Sequence, residues 1–529
     1  MEIVRAFLLP HPPLIVPGVG AGDEIPQTRA AAERVASEVL GLAPDTVIYV
    51  TPHSCLYADY IHISPGAEAS GDFGKFRAPD VKFEVEYDEQ LASLIGEISS
   101  ADGLPAGALG ERDAHLDHGV MVPLYFMDKA WRERAASRAP DASSESGESP
   151  RLGADDETSD TGRTSRAPKI VRISVSGFSL LDHYRFGMYI AEAVRRLERR
   201  AVLIASGDMS HRLKEDGPYG FAPEGPVHDA YVKECLEDSD LRRLARMDRS
   251  VREGAGECGL ASILVAAGYL DGRKAGSEVY SYEGPYGVGY LVAALSGGEP
   301  APSLFPLLVS DREAALAEVR AQEDIYVRLA RANVESYVRT GRGIELDEFF
   351  AGGGAGGGAG GAEADGDARS GAGVAAGGCE QSGAGGGAAR EMMAARAGVF
   401  VSIKKDGELR GCIGTTEPTC GSVASEILSN SVSAAVRDPR FDPIDESELD
   451  SLTYSVDVLA APEKISGPHE LDAKRYGVIV SSGGRRGLLL PDLDGVDTVR
   501  QQIDIARRKA GIGKREKIRL ERFEVIRHR

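Results

Sequence analysis

The sequence has few cysteines, and their spacing excludes the common cysteine-based frameworks. The six cysteines are Cys55, Cys235, Cys258, Cys379, Cys412 and Cys420. None of them forms a Cys-x-x-Cys pair or a zinc-finger pattern. A disulfide scaffold and a structural zinc site are therefore not expected, which fits a reducing compartment such as the cytoplasm.

Long apolar runs and an excess of basic charge are also absent. No segment reaches the ~18 apolar residues that cross a membrane, and prolines interrupt the apolar amino terminus, so a signal peptide is not expected there. The chain has 61 Lys and Arg against 82 Asp and Glu, a formal charge of -21. This balance argues against nucleic acid as a partner, and we expect neither a nucleic-acid nor a membrane partner.

The length predicts more than one domain. A chain of 529 residues is too long for one ordinary core and suggests roughly two to four domains. Two segments lack the large apolar residues that a core needs. Residues 133–168 are rich in serine and acidic residues and are predicted to be a disordered insertion. Residues 351–390 are rich in glycine and are predicted to be a flexible insertion.

The remaining pattern predicts an α/β domain followed by a smaller unit. Over residues 1–300, short apolar runs alternate with helical periodicities, including helices at 185–199, 227–244 and 258–268. This alternation predicts a mainly parallel sheet with helices on both faces. A second unit is predicted over residues 306–529. It has an amphipathic helix after Asp324, and its strands begin after the glycine-rich segment.

Three histidines each follow an apolar run that ends in small or turn-forming residues. They are His11, His53 and His211. Such a run indicates a buried strand and its exit turn, and ligands of open α/β sheets bind at the carboxyl ends of the strands. Imidazole binds metals and titrates near neutral pH. The pattern therefore predicts a metal site, a proton-transfer site, or both.

An anionic ligand for such a site has several candidates. Glu257 lies in a glycine-rich approach to a helix, where it is either a ligand or a charge favoured at a helix start. Asp208 and Asp182 are the alternatives. A further histidine, His118, follows Asp117, an arrangement suited to orienting an imidazole or to general-base work, or simply to a polar loop.

These motifs together resemble the catalytic, LigB-type subunit of the class III extradiol ring-cleavage dioxygenases and its Memo-like relatives. The resemblance covers about residues 1–297 and is carried by His11-Pro12-Pro13, Thr51-Pro52-His53-Ser54, Leu116-Asp117-His118-Gly119, Ser206-Gly207-Asp208-Met209-Ser210-His211 and Gly256-Glu257-Cys258-Gly259. It implies Fe(II) as cofactor, with a catechol-type or related aromatic molecule and O₂ as substrates.

The resemblance also implies a role for each of five residues. His11, His53 and Glu257 correspond to the metal ligands, His211 to the acid/base histidine, and His118 to a second active-site histidine. Cys258 departs from the dioxygenase pattern, because the Memo-like branch uses a cysteine in this region. The third ligand is therefore Glu257 first, with Cys258 and Asp208 as alternatives, and copper or zinc are alternatives to iron because thiolate is a soft ligand.

The second unit contains the run Leu409-Arg410-Gly411-Cys412-Ile413-Gly414-Thr415. Cys412 beside Arg410 is either an activated nucleophile or a small buried residue in a tight turn. The run resembles the signature of AMMECR-type domains over about residues 310–529, which implies an α+β domain but no settled reaction.

The two-domain fusion is similar to that of the AmmeMemoRadiSam systems, in which these domains accompany a Memo-like protein and a radical SAM enzyme. The leading hypothesis is thus a dioxygenase-like metalloenzyme. A non-oxygenase binding or scaffold component of a radical SAM-associated pathway is the alternative.

Overall fold

The computed structural model describes residues 5–20, 25–110, 114–138, 167–351, 384–493 and 495–529. The chain divides into two compact units, residues 1–311 and 312–529. Most of the two predicted insertions, at 139–166 and 352–383, lies outside the described residues.

The first unit alternates strands and helices. Its strands are β1 (Arg5–Leu9), β2 (Thr46–Thr51), β3 (Ile61–His62), β4 (Glu68–Phe73), β5 (Ala78–Glu86), β6 (Ala106–Gly107), β7 (Lys169–Ser174), β8 (Ala201–Ser206), β9 (Arg273–Glu283) and β10 (Tyr290–Pro300). Its helices are α1 (Pro26–Leu42), α2 (Glu89–Ala101), α3 (His118–Arg138), α4 (Leu180–Arg196), α5 (Glu224–Glu237), α6 (Leu241–Leu244), α7 (Arg249–Ala255) and α8 (Leu260–Tyr269). Helix α9 (Phe305–Gln322) spans the division between the units.

The main sheet has the order β7-β2-β8-β1-β10-β9. The first four strands run parallel, whereas β10 pairs antiparallel with both β1 and β9. The predicted α/β fold with a mainly parallel, helix-covered sheet is confirmed, with an antiparallel hairpin at one edge.

Each strand of the parallel part buries both of its faces. In β1, Ala6 and Leu8 join a core with α4 and α8, while Phe7 and Leu9 join a second core with α1 and α3. Successive side chains of a strand point to opposite faces, so a continuous apolar run is what a sheet covered on both sides requires.

Local chemistry sets several helix boundaries that the periodicity misplaced. Helix α4 begins at Leu180 instead of residue 185, because Ser179 and Asp182 form a capping box. The helix predicted at 227–244 is divided into α5 and α6, since Ser239 adopts a left-handed conformation with φ 57° and Asp240 caps α6. Helix α3 continues to Arg138, into the segment predicted to be disordered.

The second unit combines helices with two four-stranded sheets. Its helices are α10 (Ile325–Thr340), α11 (Leu346–Ala351), α12 (Ala384–Ala394), α13 (Val423–Val436) and α14 (Val499–Lys509). Its strands are β11 (Gly398–Lys405), β12 (Glu408–Gly414), β13 (Leu452–Leu459), β14 (Glu463–Ile465), β15 (Gly477–Ser482), β16 (Arg485–Leu489), β17 (Arg519–Phe523) and β18 (Val525–His528). The sheet orders are β12-β11-β13-β18 and β14-β17-β15-β16.

The amphipathic helix predicted after Asp324 is α10. The Asp324 carboxylate accepts hydrogen bonds from the first-turn amides, and Gly341 ends the helix with φ 73°. Helix α10 packs with α13, β11 and β13 in one core, as expected for an α+β unit. Helix α12 occupies the end of the segment predicted to be a flexible glycine-rich insertion.

Among the described residues, no helix has both the length and the apolar character needed to cross a bilayer.

Candidate metal centre

The carboxyl ends of three parallel strands carry the predicted histidines. His11 lies just beyond β1, His53 just beyond β2, and His211 in the segment after β8. Strand β8 lies between β1 and β2 in the sheet, so the three exit segments meet at one edge. The structure brings His11 and His53 into contact there, with ring centroids 4.6 Å apart.

His11 is held by two residues of the segment that ends β8. The Ser206 hydroxyl donates to the Gly119 carbonyl at 2.5 Å, so its oxygen accepts from Nδ1 of His11, 2.9 Å away. The His11 amide donates to the Asp208 carboxylate at 2.9 Å. This arrangement puts the ring proton on Nδ1 and leaves the Nε2 lone pair of His11 available to a metal ion.

Nε2 of His53 lies 2.9 Å from Nε2 of His11. The His53 side chain is partly exposed, yet its partial burial lowers its pKa to about 4; the neighbouring His118 adds to this effect and the charge of Asp117 opposes it. Burial, together with the neighbouring imidazoles, also keeps the pKa of His11 well below its ordinary value. Both rings are therefore neutral at pH 7, the form in which imidazole binds a metal.

Cys258 completes a group of three ligand atoms. Its Sγ lies 3.7 Å from Nε2 of His11, and the three atoms all lie within 4.8 Å of one another. The Asp208 amide points at this sulfur from 3.3 Å. Burial raises the pKa of the Cys258 thiol well above its ordinary value, so a nearby cation is what would favour the thiolate.

A close backbone approach brings Cys258 to the sheet edge. A Cβ atom on Gly207 would lie 2.2 Å from the Cα of Gly259. Glycine at 207 therefore lets the end of β8 touch the segment that precedes α8. Helix α8 begins at Leu260, not at residue 258 as the periodicity indicated, which leaves Cys258 in the turn.

Glu257, the third ligand that the sequence pattern favours, is placed elsewhere. Its Oε2 accepts from the Leu260 amide at 2.6 Å, and its other oxygen lies 4.0 Å from Arg252. The carboxylate thus satisfies an amide at the start of α8. Among the described residues, the group of donor atoms that could hold an ion includes Cys258 and not Glu257; the role of Glu257 as a ligand stays a prediction.

The two aspartate alternatives also lie outside the donor group. Asp182 takes part in the capping box of α4. Asp208 comes closer, with Oδ2 3.9 Å from Nε2 of His11. Burial raises the pKa of Asp208 to about 7, although the hydrogen bond from the His11 amide acts in the opposite direction.

His211 and His118 flank the three donors. Nε2 of His211 lies 3.7 Å from the Cys258 sulfur, and the ring of His118 stacks on that of His53 with centroids 4.2 Å apart. Burial lowers the pKa of both imidazoles. Each also contacts an exposed aromatic ring, Tyr219 for His211 and Phe76 for His118.

Ser206 is part of a motif noted in the sequence, but the sequence did not indicate that its hydroxyl orients His11. A serine at the end of an apolar run is common, and only the pairing of β8 with β1 puts its hydroxyl beside His11. No periodicity could have indicated that contact.

Cys412 belongs to the second unit and lies on β12. The Ser402 hydroxyl points at its sulfur from 3.3 Å, its amide donates to Asp438 at 2.9 Å, and Arg440 donates to its carbonyl at 3.0 Å. Arg410, the neighbour expected to activate the thiol, instead pairs with Glu448 at 2.8 Å. Its charge is thus committed to a carboxylate.

Two family models match the chain. The model described as the catalytic LigB subunit of aromatic ring-opening dioxygenase matches residues 5–293, and that of AMMECR1 matches residues 327–528. Protein CA_C1420 of Clostridium acetobutylicum is 37% identical over 540 aligned positions that cover 100% of both chains. A protein of Thermotoga maritima is 50% identical over 141 residues, which cover 26% of this chain and 81% of that one.

Similarity to solved structures is low by global superposition. An uncharacterized protein of Escherichia coli K12 aligns at 15% identity and TM-score 0.34, covering 56% of this chain and 100% of that one.

Proposed function

The chain belongs to the family of the catalytic LigB subunit of aromatic ring-opening dioxygenases and also carries an AMMECR1 domain, and from this we propose that it is a metal-dependent dioxygenase that opens a catechol-type ring. The observation that carries the proposal is the group formed by His11, His53 and Cys258. His211 and His118 stand beside this group, where a bound substrate would need proton-transfer groups.

The donor atoms fit a transition-metal ion. Two ring nitrogens that bind one ion at ~2.1 Å, at right angles to each other, lie about 3 Å apart, and the two Nε2 atoms here are 2.9 Å apart. Imidazole and thiolate suit iron, copper and zinc. We propose Fe(II), because ring opening by the family requires a metal that activates O₂. Copper and zinc are the alternatives because thiolate is a soft ligand, and zinc, which has no redox chemistry, would fit only the non-oxygenase alternative.

When bound, the ion would supply coordination of the diol and of O₂, together with the redox chemistry of the insertion. The protein would hold it through His11, His53 and Cys258. The partly exposed His53 leaves an open side from which a ring can approach the centre. The proposed substrate is a catechol-type or related aromatic molecule.

His211 is the proposed proton carrier. Its lowered pKa makes the ring neutral at pH 7, so Nε2 can accept a proton from a diol hydroxyl and return it to the product. His118, whose ring stacks on His53 and meets Phe76 in an edge contact, would shield the centre from water and supply a second polar contact to the substrate.

The role of the AMMECR1 domain is a separate proposal. We propose Cys412 as its nucleophile, and Memo-like and radical SAM proteins as pathway partners, on the basis of the domain fusion. Alkylation of Cys412 in the intact chain tests the first part. A thiol whose reactivity rises with pH only near ~8.5 is an ordinary thiol and would count against a nucleophile.

Metal analysis of anaerobically purified protein tests the centre. We expect a bound transition metal in the wild type and its loss in His11→Ala and His53→Ala. His469→Ala is the matched control, since His469 is strongly exposed in the second unit. Metal retained in both site variants would overturn the proposed centre.

Oxygen uptake with a panel of catechols tests the reaction. We expect consumption by the Fe(II)-loaded wild type and none by His211→Ala, which should still bind metal. A metal-loaded wild type that consumes no oxygen with any diol would contradict the dioxygenase and support a non-oxygenase scaffold.

A further inference from the structure

A buried carboxylate on α5 lies beneath the segment that carries His211. Asp229 is 2% exposed. Its Oδ1 accepts from the Ser210 amide at 2.7 Å and from Nδ1 of His228 at 2.9 Å, and its Oδ2 accepts from the Tyr282 hydroxyl at 2.6 Å. None of these residues belongs to the proposed metal ligands.

The Ser210 contact places Asp229 one residue from the proposed proton carrier. The neighbouring amides bind to backbone: Met209 donates to Gly289 at 2.8 Å, and His211 donates to Ala255 at 3.1 Å. Between them, the Ser210 amide turns to a side-chain carboxylate. Asp229 is thus the acceptor that completes the hydrogen bonding of this three-residue segment.

The absence of a side chain at Gly289 leaves the space that the Asp229 carboxylate occupies. A Cβ atom on Gly289 would lie 2.1 Å from Oδ2 of Asp229 and 2.9 Å from the Cβ of Met209. Any larger residue at 289 would therefore displace either the carboxylate or the segment before His211. Gly289 also donates its own amide to the Ser210 carbonyl at 2.8 Å. The same glycine therefore leaves room for the Asp229 carboxylate and binds the segment that precedes His211.

His228, on the same helix, has Asp229 as the one side-chain hydrogen-bond partner of its ring among the described residues. His228 is fully buried, and within the described residues its Nε2 has no hydrogen-bond partner. Its ring is committed to Asp229 through Nδ1. Burying a carboxylate is costly unless its lone pairs are satisfied, and here an amide, an imidazole and a phenol satisfy them.

We propose that Asp229 is a positioning residue for His211: it fixes the Met209–His211 segment so that the imidazole stays at the donor group, 3.7 Å from the Cys258 sulfur. The part of this inference that concerns catalysis rests on the proposed function. The part that concerns the segment rests only on the contacts above. The two parts are tested separately.

Amide hydrogen exchange of metal-free protein tests the segment. Asp229→Asn should speed exchange at Ser210 and His211, and Asp229→Ala should do so more strongly. Tyr282→Phe, which removes one hydroxyl only, should have a smaller effect and keeps the test available if Asp229→Ala fails to fold.

Asp88→Asn is the matched control for that measurement. Asp88 is also a buried acceptor, 3% exposed, but it accepts from the Thr46 hydroxyl at the start of β2, from the Leu91 amide in the first turn of α2, and from Arg199. Its substitution should speed exchange at Leu91 and leave Ser210 and His211 unchanged. Equal exchange at Ser210 in Asp229→Asn and wild type would overturn the positioning role.

Kinetics of catechol-dependent oxygen uptake test the link to catalysis. Misplacing an acid/base group lowers the rate of the chemical step more than substrate binding, so kcat of Asp229→Asn should fall about tenfold or more while KM stays within about twofold. Metal content should equal that of wild type. Faster exchange at His211 with unchanged kcat would refute positioning for catalysis; if wild type consumes no oxygen, the proposed dioxygenase activity fails and the exchange data alone decide the structural part.

Discussion

Nδ1 of His11 lies 2.9 Å from the hydroxyl oxygen of Ser206, which itself donates to the Gly119 carbonyl. A single serine therefore decides which nitrogen of His11 faces the centre. Ser206→Ala should weaken metal affinity by about 10–100-fold, the usual cost of losing a residue that orients a ligand. Competition with a chelator of known affinity measures the change.

Ser174→Ala is the matched control for that serine. Ser174 ends β7 at the same edge of the sheet and is buried, and within the described residues its hydroxyl has no hydrogen-bond partner. Its removal should leave metal affinity within about twofold of wild type. A Ser206→Ala variant with wild-type affinity would show that tautomer control by Ser206 is unimportant.

Substitutions of the adjacent residues Cys258 and Glu257 should have opposite effects on metal binding. Cys258→Ala should abolish tight metal binding, since it removes one of three donors. Glu257→Gln should keep the metal and cost only about 0.5–1 kcal/mol of stability, because an amide oxygen still accepts from Leu260 but the charge at the helix start is lost.

Alkylation of the intact protein separates the two cases. Bound metal should protect Cys258 from iodoacetamide in wild type and in Glu257→Gln, whereas Cys235, which is buried for other reasons, should be unaffected by metal. Loss of metal in Glu257→Gln would restore the carboxylate ligand that the sequence pattern favoured.

The sequence supported the sheet and the strand-terminal histidines because both follow from local rules. A continuous apolar run such as that of β8 must be buried on both faces, and the residues after it must lie at a sheet edge. The third ligand has no such rule. Glu257 turns away from the centre when its carboxylate accepts from a backbone amide at the start of α8. Which amide is within reach depends on the residue at which α8 begins.

Other features depend on contacts between distant segments. The antiparallel strand β9 is only partly buried, so its apolar pattern is weak and does not indicate a strand. Asp229 lies on α5, far along the chain from His11 and His53, and nothing in its local sequence indicates that its carboxylate reaches the His211 segment.

The packing of α4 on α8 requires glycine at the crossing. A Cβ atom on Gly268 would lie 1.8 Å from the Tyr184 carbonyl oxygen. Gly268→Ala must therefore separate the helices, and it should cost about 1–3 kcal/mol or more. Denaturant unfolding followed by the fluorescence of Trp131, the one tryptophan of the chain, reports on the first unit.

Gly41→Ala is the matched control, and its effect on the free energy of unfolding should have the opposite sign. Gly41 lies in α1, and a Cβ atom there has nothing within 4 Å. Alanine is the better helix former, so this variant should be more stable than wild type by up to about 0.5–1 kcal/mol. Equal unfolding midpoints for Gly268→Ala and Gly41→Ala would contradict the close crossing.

Acid should destabilise the second unit through Glu448. Burial alone would raise the pKa of this carboxyl, but hydrogen bonds from Arg410 and the Asp445 amide, with the charge of Lys405, outweigh it and lower the pKa to about 2. Because the folded pKa lies below the ordinary value of 4.5, the stabilisation is complete above pH ~4.5 and is lost as the pH falls toward ~2.

Glu448→Gln should therefore be less stable than wild type near pH 6 by about 1–2 kcal/mol, with the difference shrinking in acid. Hydrogen exchange in peptides of β12, which carries Arg410, follows this unit. Glu446→Gln is the control, since that side chain is 68% exposed on the same turn, and it should behave as wild type at every pH. If the stability difference between Glu448→Gln and wild type stays constant from pH 6 to pH 2, charge pairing with Arg410 is not the origin of that difference.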